Sequence, residues 1–496
     1  MSGVRFERTP DTRDLRPETS ATRRVALNTA APTAARLIDA AFALVYLRLL
    51  GRTDVGAYQF LVVFTTYLDT LIDFGLNALL AREVPRNPAI ARTALRRVSL
   101  LRLALWLVGL AVVLLVYGPG REAANLNNEA AIAGVVFYVA LLPTVLAKTA
   151  SGLLWGLERL DLTAAVSVLA TLLKVGLGAV VLFGGLGLVA LASTSLVVNV
   201  VTAAVLLILL APRLPATGGA QAPAAAQAWL KEGWPLFLNQ LLQGLFFKID
   251  ALLLPALAGL QAAGAYAAAY KVSEGAGILS SSFTLALFPR LAATNEPQGA
   301  YRMALRILLQ LAFPVTAAIA LLAEPIIAIV AGREYLPDSA TALSILICYL
   351  PLSYANGLTQ YLLIAAGRQR PLTLAFLFAL AFNLAANFAF IPRYGYVGAA
   401  WVTVLSEVVL LVPFQLLARS IAPTVSLVGE ARKPLLATLL MAPVLWWLRD
   451  VHVLLGIAAA LAIYPTTLWA LGGIDAQQAR LLGQLMPAAY ARRLRP

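Results

Sequence analysis

The sequence predicts an all-α membrane protein of about fourteen transmembrane helices, built as two parallel six-helix repeats followed by an extra helix pair. Three observations carry this. Of 496 residues, 60% are hydrophobic and only 12% are charged, with a mean hydropathy of +0.82. That charged fraction is about half that of a soluble domain. The apolar residues fall into long runs, and a helix needs about 20 of them to cross the hydrocarbon core. Two blocks of sequence also recur at nearly constant spacing. A water-soluble fold cannot hide so much apolar surface, and disorder is excluded for the same reason. The single cysteine, Cys348, excludes a disulfide scaffold. The single histidine, His452, excludes a His-based metal site.

Read in order, the spans fall at roughly 28–50, 55–81, 95–118, 130–154, 162–184, 186–210, 234–258, 263–288, 303–322, 338–364, 371–391, 396–418, 433–448 and 451–471. The thirteenth is short, and Ile326–Val330 is a candidate extension of the ninth. No period-2 alternation marks a β-barrel. The net charge of +14 does not point to nucleic acid, because the basic residues sit at the ends of the apolar runs. One set of alternate loops carries only Arg48, Arg52, Arg121, Arg333, Arg393 and Arg449, and the other set with the termini carries most of the rest. By the positive-inside rule both termini are cytoplasmic. The first 24 residues hold six arginines and no apolar h-region, so they read as a cytoplasmic arm and not a cleaved signal peptide. The expected organisation is therefore an arm (1–24), an N-lobe (25–211), a cytoplasmic linker (212–232), a C-lobe (233–420), an extra helix pair (421–472) and a cytoplasmic tail (473–496). The linker rests on the Ala-, Pro- and Gly-rich stretch Pro212–Gln227.

The lobes repeat. Gly51-Arg-Thr-Asp-Val-Gly56-Ala57-Tyr58 recurs 208 residues later as Gly259-Leu-Gln-Ala-Ala-Gly264-Ala265-Tyr266, and Arg82 matches Arg290 at the same offset. Gly156, Gly184 and Gly187 match Gly367, Gly395 and Gly398 at an offset of 211. An even number of spans per repeat keeps both halves in one orientation, and that architecture places a substrate cavity between two lobes. The motif glycines and tyrosines read as packing residues, since small side chains let helices approach closely.

An ionisable group at mid-bilayer needs a partner, a wet cavity or a route to the interface. Arg102 and Lys148 lie near cytoplasmic helix ends, where snorkelling is expected. The deeper groups are Arg36 and Asp39 in span one, Asp69 and Asp73 in span two, Lys174 in span five, Lys248 and Asp250 in span seven, Lys271 and Glu274 in span eight, and Glu407 in span twelve. Most sit on repeat-equivalent helices. A cleft lined by Arg36, Lys174, Lys248 and Lys271 can hold a diphosphate, Arg through its planar fork and Lys as a point charge. Asp39, Asp69, Asp73, Asp250, Glu274 and Glu407 are then charge partners, or sites for a coupling Na⁺ or proton. Arg36–Asp39 and Lys271–Glu274 equally read as internal ion pairs that let their helices insert. Asp69 and Asp73 require a base, a cation or a shared proton. Asn28, Asn239, Gln240 and Gln243 read as interhelical hydrogen-bonding groups. Pro32, Pro255, Pro314, Pro351 and Pro413 interrupt helices.

The run Leu50-Gly-Arg-Thr-Asp-Val-Gly-Ala-Tyr58 with Asp73-Phe-Gly-Leu-Asn-Ala-Leu-Leu-Ala-Arg-Glu-Val84 resembles polysaccharide exporters. So do Lys248-Ile-Asp-Ala-Leu-Leu-Leu254, Ala263-Gly-Ala-Tyr-Ala-Ala-Ala-Tyr-Lys271 and Leu287-Phe-Pro-Arg290. The resemblance is to Wzx-type O-antigen flippases of the multidrug/oligosaccharidyl-lipid/polysaccharide (MOP) exporter superfamily, and it covers about residues 20–420. It implies two MATE-like six-helix bundles forming a V-shaped cavity. It also implies movement of an undecaprenyl-diphosphate-linked oligosaccharide from the cytoplasmic to the outer leaflet of a prokaryotic inner membrane. The family often has Arg before Ile-Asp in span seven; here the residue is Lys248. In the related lipid II flippases the last two helices form a groove for the lipid tail, a part that spans thirteen and fourteen would take. The expected partners are the membrane, the lipid-linked glycan and polysaccharide assembly proteins, with no nucleic acid, no cofactor and a monomeric state.

The alternatives are a cation-coupled multidrug antiporter of the same superfamily, a lipid II flippase, a membrane enzyme and a scaffold. A drug antiporter calls for mainly acidic walls, whereas this set contains four bases. An O-antigen polymerase or ligase calls for a large external loop, and the longest here is Gly118–Glu129. No P-loop, HExxH or GxSxG pattern is present. The Arg-rich tail Tyr490–Pro496 suits contact with a membrane surface.

Overall fold

In lipid the backbone has no water to bond, so a chain of apolar runs closes its hydrogen bonds within helices. The computed structural model describes residues 34–214, 226–293 and 297–474, without the side chains of 226–227, 278–293 and 297. The N-terminal arm, Asn28, Pro32, most of the linker, the Arg290 side chain and the tail lie outside the described residues.

The helices are α1 (34–49), α2 (Arg52–Asp73), α3 (Leu76–Glu83), α4 (Ala91–Tyr117), α5 (Asn128–Val139), α6 (Leu141–Gly156), α7 (Leu160–Phe183) and α8 (Gly187–Leu210). They continue as α9 (Ala226–Ala258), α10 (Leu260–Ala293), α11 (Pro297–Leu321), α12 (Ala323–Val330), α13 (Asp338–Leu346) and α14 (Leu350–Ala365). The last are α15 (Gln369–Arg419), α16 (Leu427–Arg449) and α17 (Val453–Ala470). No strand occurs among the described residues.

Three pairs, α2–α3, α5–α6 and α13–α14, each make a single traverse. Gly395, at φ 56° and ψ −134°, breaks α15 into two. A side chain there would be strained, because that φ is open mainly to glycine. Fourteen traverses result among the described residues, at the fourteen predicted places, and the chain is a multi-pass membrane protein. Two expectations change. The thirteenth span is not short, since α16 begins at Leu427, where the Ser426 hydroxyl caps the Gly429 amide at 3.2 Å. Ile326–Val330 does not prolong the ninth span but belongs to the separate α12, after a break at Leu322.

The repeat extends to its irregularities. The fourth traverse breaks before α6 and the tenth before α14, and each second helix carries a proline in its first turn, Pro143 and Pro351. These lie 208 residues apart, the offset of the Gly-Ala-Tyr blocks. Each lacks an amide and clashes with the carbonyl four residues back, which interrupts the preceding helix. Pro314 and Pro413, by contrast, lie inside continuous helices. The second traverse breaks at Phe74–Gly75, both at positive φ, whereas its counterpart α10 runs unbroken.

The chain divides into two compact units. Of the described residues, the first gathers those up to Phe42, Leu68–Val113 and those between Val135 and Phe237; the second holds Ala43–Tyr67, Leu114–Gly134 and those from Leu238 on. In the second, Phe246, Leu363, Phe376, Leu410 and Phe414 form an aromatic-rich core. Leu254, Tyr266, Leu346 and Ile391 form another. The terminal pair α16–α17 packs on the end of α11 and on Leu322 just after it, through Met441, Leu445 and Ala460. Large apolar side chains such as Leu107, Phe183 and Ile208 stay exposed, as lipid-facing residues should.

Candidate functional site

In the first unit the structure resolves the carboxylates of span two. Asp73 accepts from the Arg102 guanidinium at 2.9 Å, and the same guanidinium reaches Asn77 Oδ1 and Thr149 Oγ1, each at 2.9 Å. Arg102 is completely buried. Asp69 pairs with Lys148 at 2.8 Å. The snorkelling expectation for both bases is therefore wrong. Each turns inward because a carboxylate waits at its own depth, and an ion pair in a low dielectric outweighs a stretched route to the interface. They are the bases that Asp69 and Asp73 required.

Asp39 has a partner on another helix: its carboxylate accepts from Lys174 Nζ at 2.6 Å, across from α7, with both side chains about two-fifths exposed. Arg36 lies exposed on α1.

The second unit brings together Lys248, Lys271 and Glu274. Glu274 takes Lys271 on one oxygen at 2.8 Å and Lys248 on the other at 3.2 Å. Lys248 also stands 5.8 Å from the centre of the Tyr270 ring, a cation–π geometry. Lys271 is eleven residues from the start of α10, roughly 16 Å along the axis, so the cluster sits near mid-membrane. It is partly exposed there, with side-chain exposures of 35% for Lys248, 22% for Lys271 and 40% for Glu274. A charge partly exposed at that depth needs a wet cavity to face.

Asp250, two residues from Lys248, points elsewhere. It is buried and accepts from the Tyr266 hydroxyl and from Thr403 Oγ1 at 3.2 Å. Glu407 is buried too and accepts from Asn356 Nδ2 at 2.7 Å. Among the described residues it has no ion-pair partner.

One end of the second unit is closed by backbone-close packing. A Cβ at Gly56 would lie 2.1 Å from the Leu260 carbonyl oxygen, and one at Gly264 1.9 Å from that of Arg52. The two Gly-Ala-Tyr blocks of the repeat thus pack on each other. Arg52 adds an ion pair to Asp338 and a hydrogen bond to the Gln261 carbonyl at 3.0 Å. Tyr396 donates to the other Asp338 oxygen at 2.8 Å. Asn125 bonds the Pro255 carbonyl at 2.8 Å, and Arg48 bonds that of Ile329.

Sequence reasoning missed Arg102, Lys148, Asn77, Thr149, Thr403 and Asn356 as members of these networks, and read Tyr266 as packing alone. Depth was the available signal. Asp73 lies ten residues from the Glu83 end of its traverse, and Arg102 eleven from the Ala91 start of the next.

The polysaccharide biosynthesis protein family matches residues 21–295, more than half of the chain. No curated sequence matches it. Among solved structures, the fold is similar to a lipid II flippase MurJ in an inward closed conformation, at a TM-score of 0.73 and 14% identity over 89% of this chain and 98% of that one. It is similar to an inward-facing multidrug resistance MATE transporter of the MOP superfamily, at 0.60 and 16% over 79% of this chain and 96% of that one. A MOP superfamily transporter from Pyrococcus furiosus, described as having a binding pocket of reverse polarity, is similar at a TM-score of 0.53 and 17% identity over 80% of this chain and 94% of that one. The fold is thus that of MOP transporters, as the sequence resemblance implied, and the chain belongs to the polysaccharide biosynthesis protein family.

Proposed function

We propose that the chain is a flippase that moves a polyprenyl-diphosphate-linked oligosaccharide from the cytoplasmic to the outer leaflet of a prokaryotic inner membrane by alternating access, with both termini cytoplasmic. The observation that carries this is the Lys248–Glu274–Lys271 cluster, two bases sharing one carboxylate in a partly exposed site near mid-membrane. Without substrate, Glu274 pairs with both lysines and leaves the cluster with one positive charge in excess. A diphosphate carries more negative charge than one carboxylate and displaces it, so the bases hold the anion while the polyprenyl tail stays in lipid. Lys174 with Asp39 offers the same exchange in the first unit.

The test is transport of a polyprenyl-diphosphate glycan by the full chain in proteoliposomes. Losing a hydrogen bond to a charged group costs roughly 1.5–3 kcal/mol, so Lys248→Ala and Lys271→Ala should each weaken substrate affinity by about tenfold or more. Lys271→Arg should retain transport. Glu274→Gln removes the competing carboxylate and should tighten binding. Saturable transport of organic cations with none of the lipid-linked glycan would replace this reading with drug antiport.

Glu407 is the carboxylate suited to carrying a coupling proton, because it is buried with no ion-pair partner among the described residues. Glu407→Gln keeps the acceptor for Asn356 and should remove the dependence of transport on a proton gradient. Unchanged gradient dependence in that variant would take the coupling role away from Glu407.

A further inference from the structure

We infer that a groove on the outside of the first unit is a binding site for an anionic phospholipid of the arginine-rich leaflet. The groove has a volume of about 730 Å³ and is formed by α4, α6 and α8. Leu95, Leu100, Leu103, Leu142, Val200 and Leu207 give it apolar walls, and Arg92 and Arg96 stand at one end.

The two arginines have chemistry left over. Both are exposed, and neither has an ion-pair partner among the described residues. They occupy the first two turns of α4, whose first turn has no acidic residue. That is the positive end of the helix dipole, where a cation is least favoured and an anion most. Four residues apart, they project from one face of the helix. A phosphodiester placed between them can accept hydrogen bonds from both guanidiniums at once.

Length selects the rest of the ligand. From Arg92 to Leu103 is eleven residues, roughly 16 Å along the helix. That is about half of the ~30 Å hydrocarbon core, the depth of one leaflet. The other two helices agree. On α8, Leu207 is three residues from the Leu210 end and Val200 lies ten in, and on α6 Leu142 lies fourteen from the Gly156 end. The deep wall is therefore Leu103, Leu142 and Val200, near the bilayer centre, and the mouth is at the arginines. A phospholipid acyl chain fits this length, whereas a polyprenyl chain runs past it. Ser99 also lines the groove, about 4.5 Å below Arg96 along the helix, near the level of a glycerol ester. Its Oγ has no hydrogen-bond partner among the described residues.

The inference does not depend on what the chain transports. It is tested by native mass spectrometry of the full chain, delipidated in detergent and titrated with phosphatidylglycerol or phosphatidylcholine. One phosphatidylglycerol should be retained about tenfold more tightly than phosphatidylcholine, as expected for two basic residues at a membrane surface. The Arg92→Gln/Arg96→Gln variant should lose that preference. Ala204→Trp, at an exposed groove position, should weaken retention of both lipids while the melting temperature stays that of the wild type. Undecaprenyl phosphate should not displace the bound phosphatidylglycerol. Equal retention of the two lipids by the wild type, an unchanged preference in the double arginine variant, or unchanged retention in Ala204→Trp would each overturn the site. Displacement by undecaprenyl phosphate at equal concentration would overturn it as well, giving the groove to the polyprenyl chain.

Discussion

Replacing Arg102 by methionine should destabilise the protein by about 3–5 kcal/mol, the usual cost of removing one partner from a buried ion pair. The loss is large because the guanidinium serves three acceptors, Asp73, Asn77 and Thr149, and is fully shielded from solvent. Without it Asp73 is a carboxylate in a low-dielectric interior that has lost its ion-pair partner. Lysine should rescue little, since a point charge cannot serve three acceptors in a planar fork. Removing the carboxylate as well should recover much of the stability, because an apolar pair of similar volume replaces a buried ion pair at small cost. The measurement is denaturation of the purified chain in detergent for Arg102→Met, Asp73→Leu and the double variant. A melting temperature for Arg102→Met equal to that of the wild type would show that the pair does not support the fold.

A methyl group at Gly264 should open the end of the second unit that the two repeat blocks close. Its Cβ would stand 1.9 Å from the Arg52 carbonyl oxygen, against an ordinary contact of 3.4 Å or more, so α2 and α10 must part by about 1.5 Å. The obstacle is backbone, which no rotamer change relieves. Gly56→Ala should act alike, its Cβ meeting the Leu260 carbonyl at 2.1 Å. Overpacking of this kind costs about 1–3 kcal/mol. Parting the helices also pulls Arg52 away from Gln261 and Asp338. The readout is labelling by a membrane-impermeant thiol reagent of a cysteine at Ala57, which is 2% exposed, in a chain whose native Cys348 is replaced by serine. Labelling should accelerate about tenfold or more in Gly264→Ala. In the proposed cycle this is the end from which the glycan leaves, so the same variant should transport poorly because that end no longer closes. Labelling at the wild-type rate would show that this contact is not what closes it.

These two contacts differ in how legible they were. The Gly-Ala-Tyr blocks announced themselves as a repeat, and their glycines were read as sites of close helix approach. The structure shows that approach, and shows that the partner of each block is the other. Arg102 was misread because one sequence shows a base near a helix end and nothing of its neighbour. Its fate depended on whether an acid on another helix reached the same depth, and Asp73 does. Lys174 illustrates the point from the other side. It had no acid nearby in sequence, and its partner Asp39 lies 135 residues away. Pro143 went unread as the counterpart of Pro351, although the spacing of 208 was already in hand from the glycines.

The sequence by itself determined the class, the number and order of the traverses, the duplication and the polysaccharide-exporter resemblance. These rest on hydropathy, residue spacing and the absence of water in the bilayer core, all of which act along the chain. Tertiary structure alone decided which charges meet. It joined Arg102 to Asp73, Lys148 to Asp69 and Lys174 to Asp39, gathered Lys248 and Lys271 on Glu274, and turned Asp250 away to Tyr266. Pairing energy falls steeply with distance and rises in a low dielectric. A charge in the membrane therefore answers to whatever the neighbouring helices bring within a few ångströms, and the linear order of residues does not carry that information.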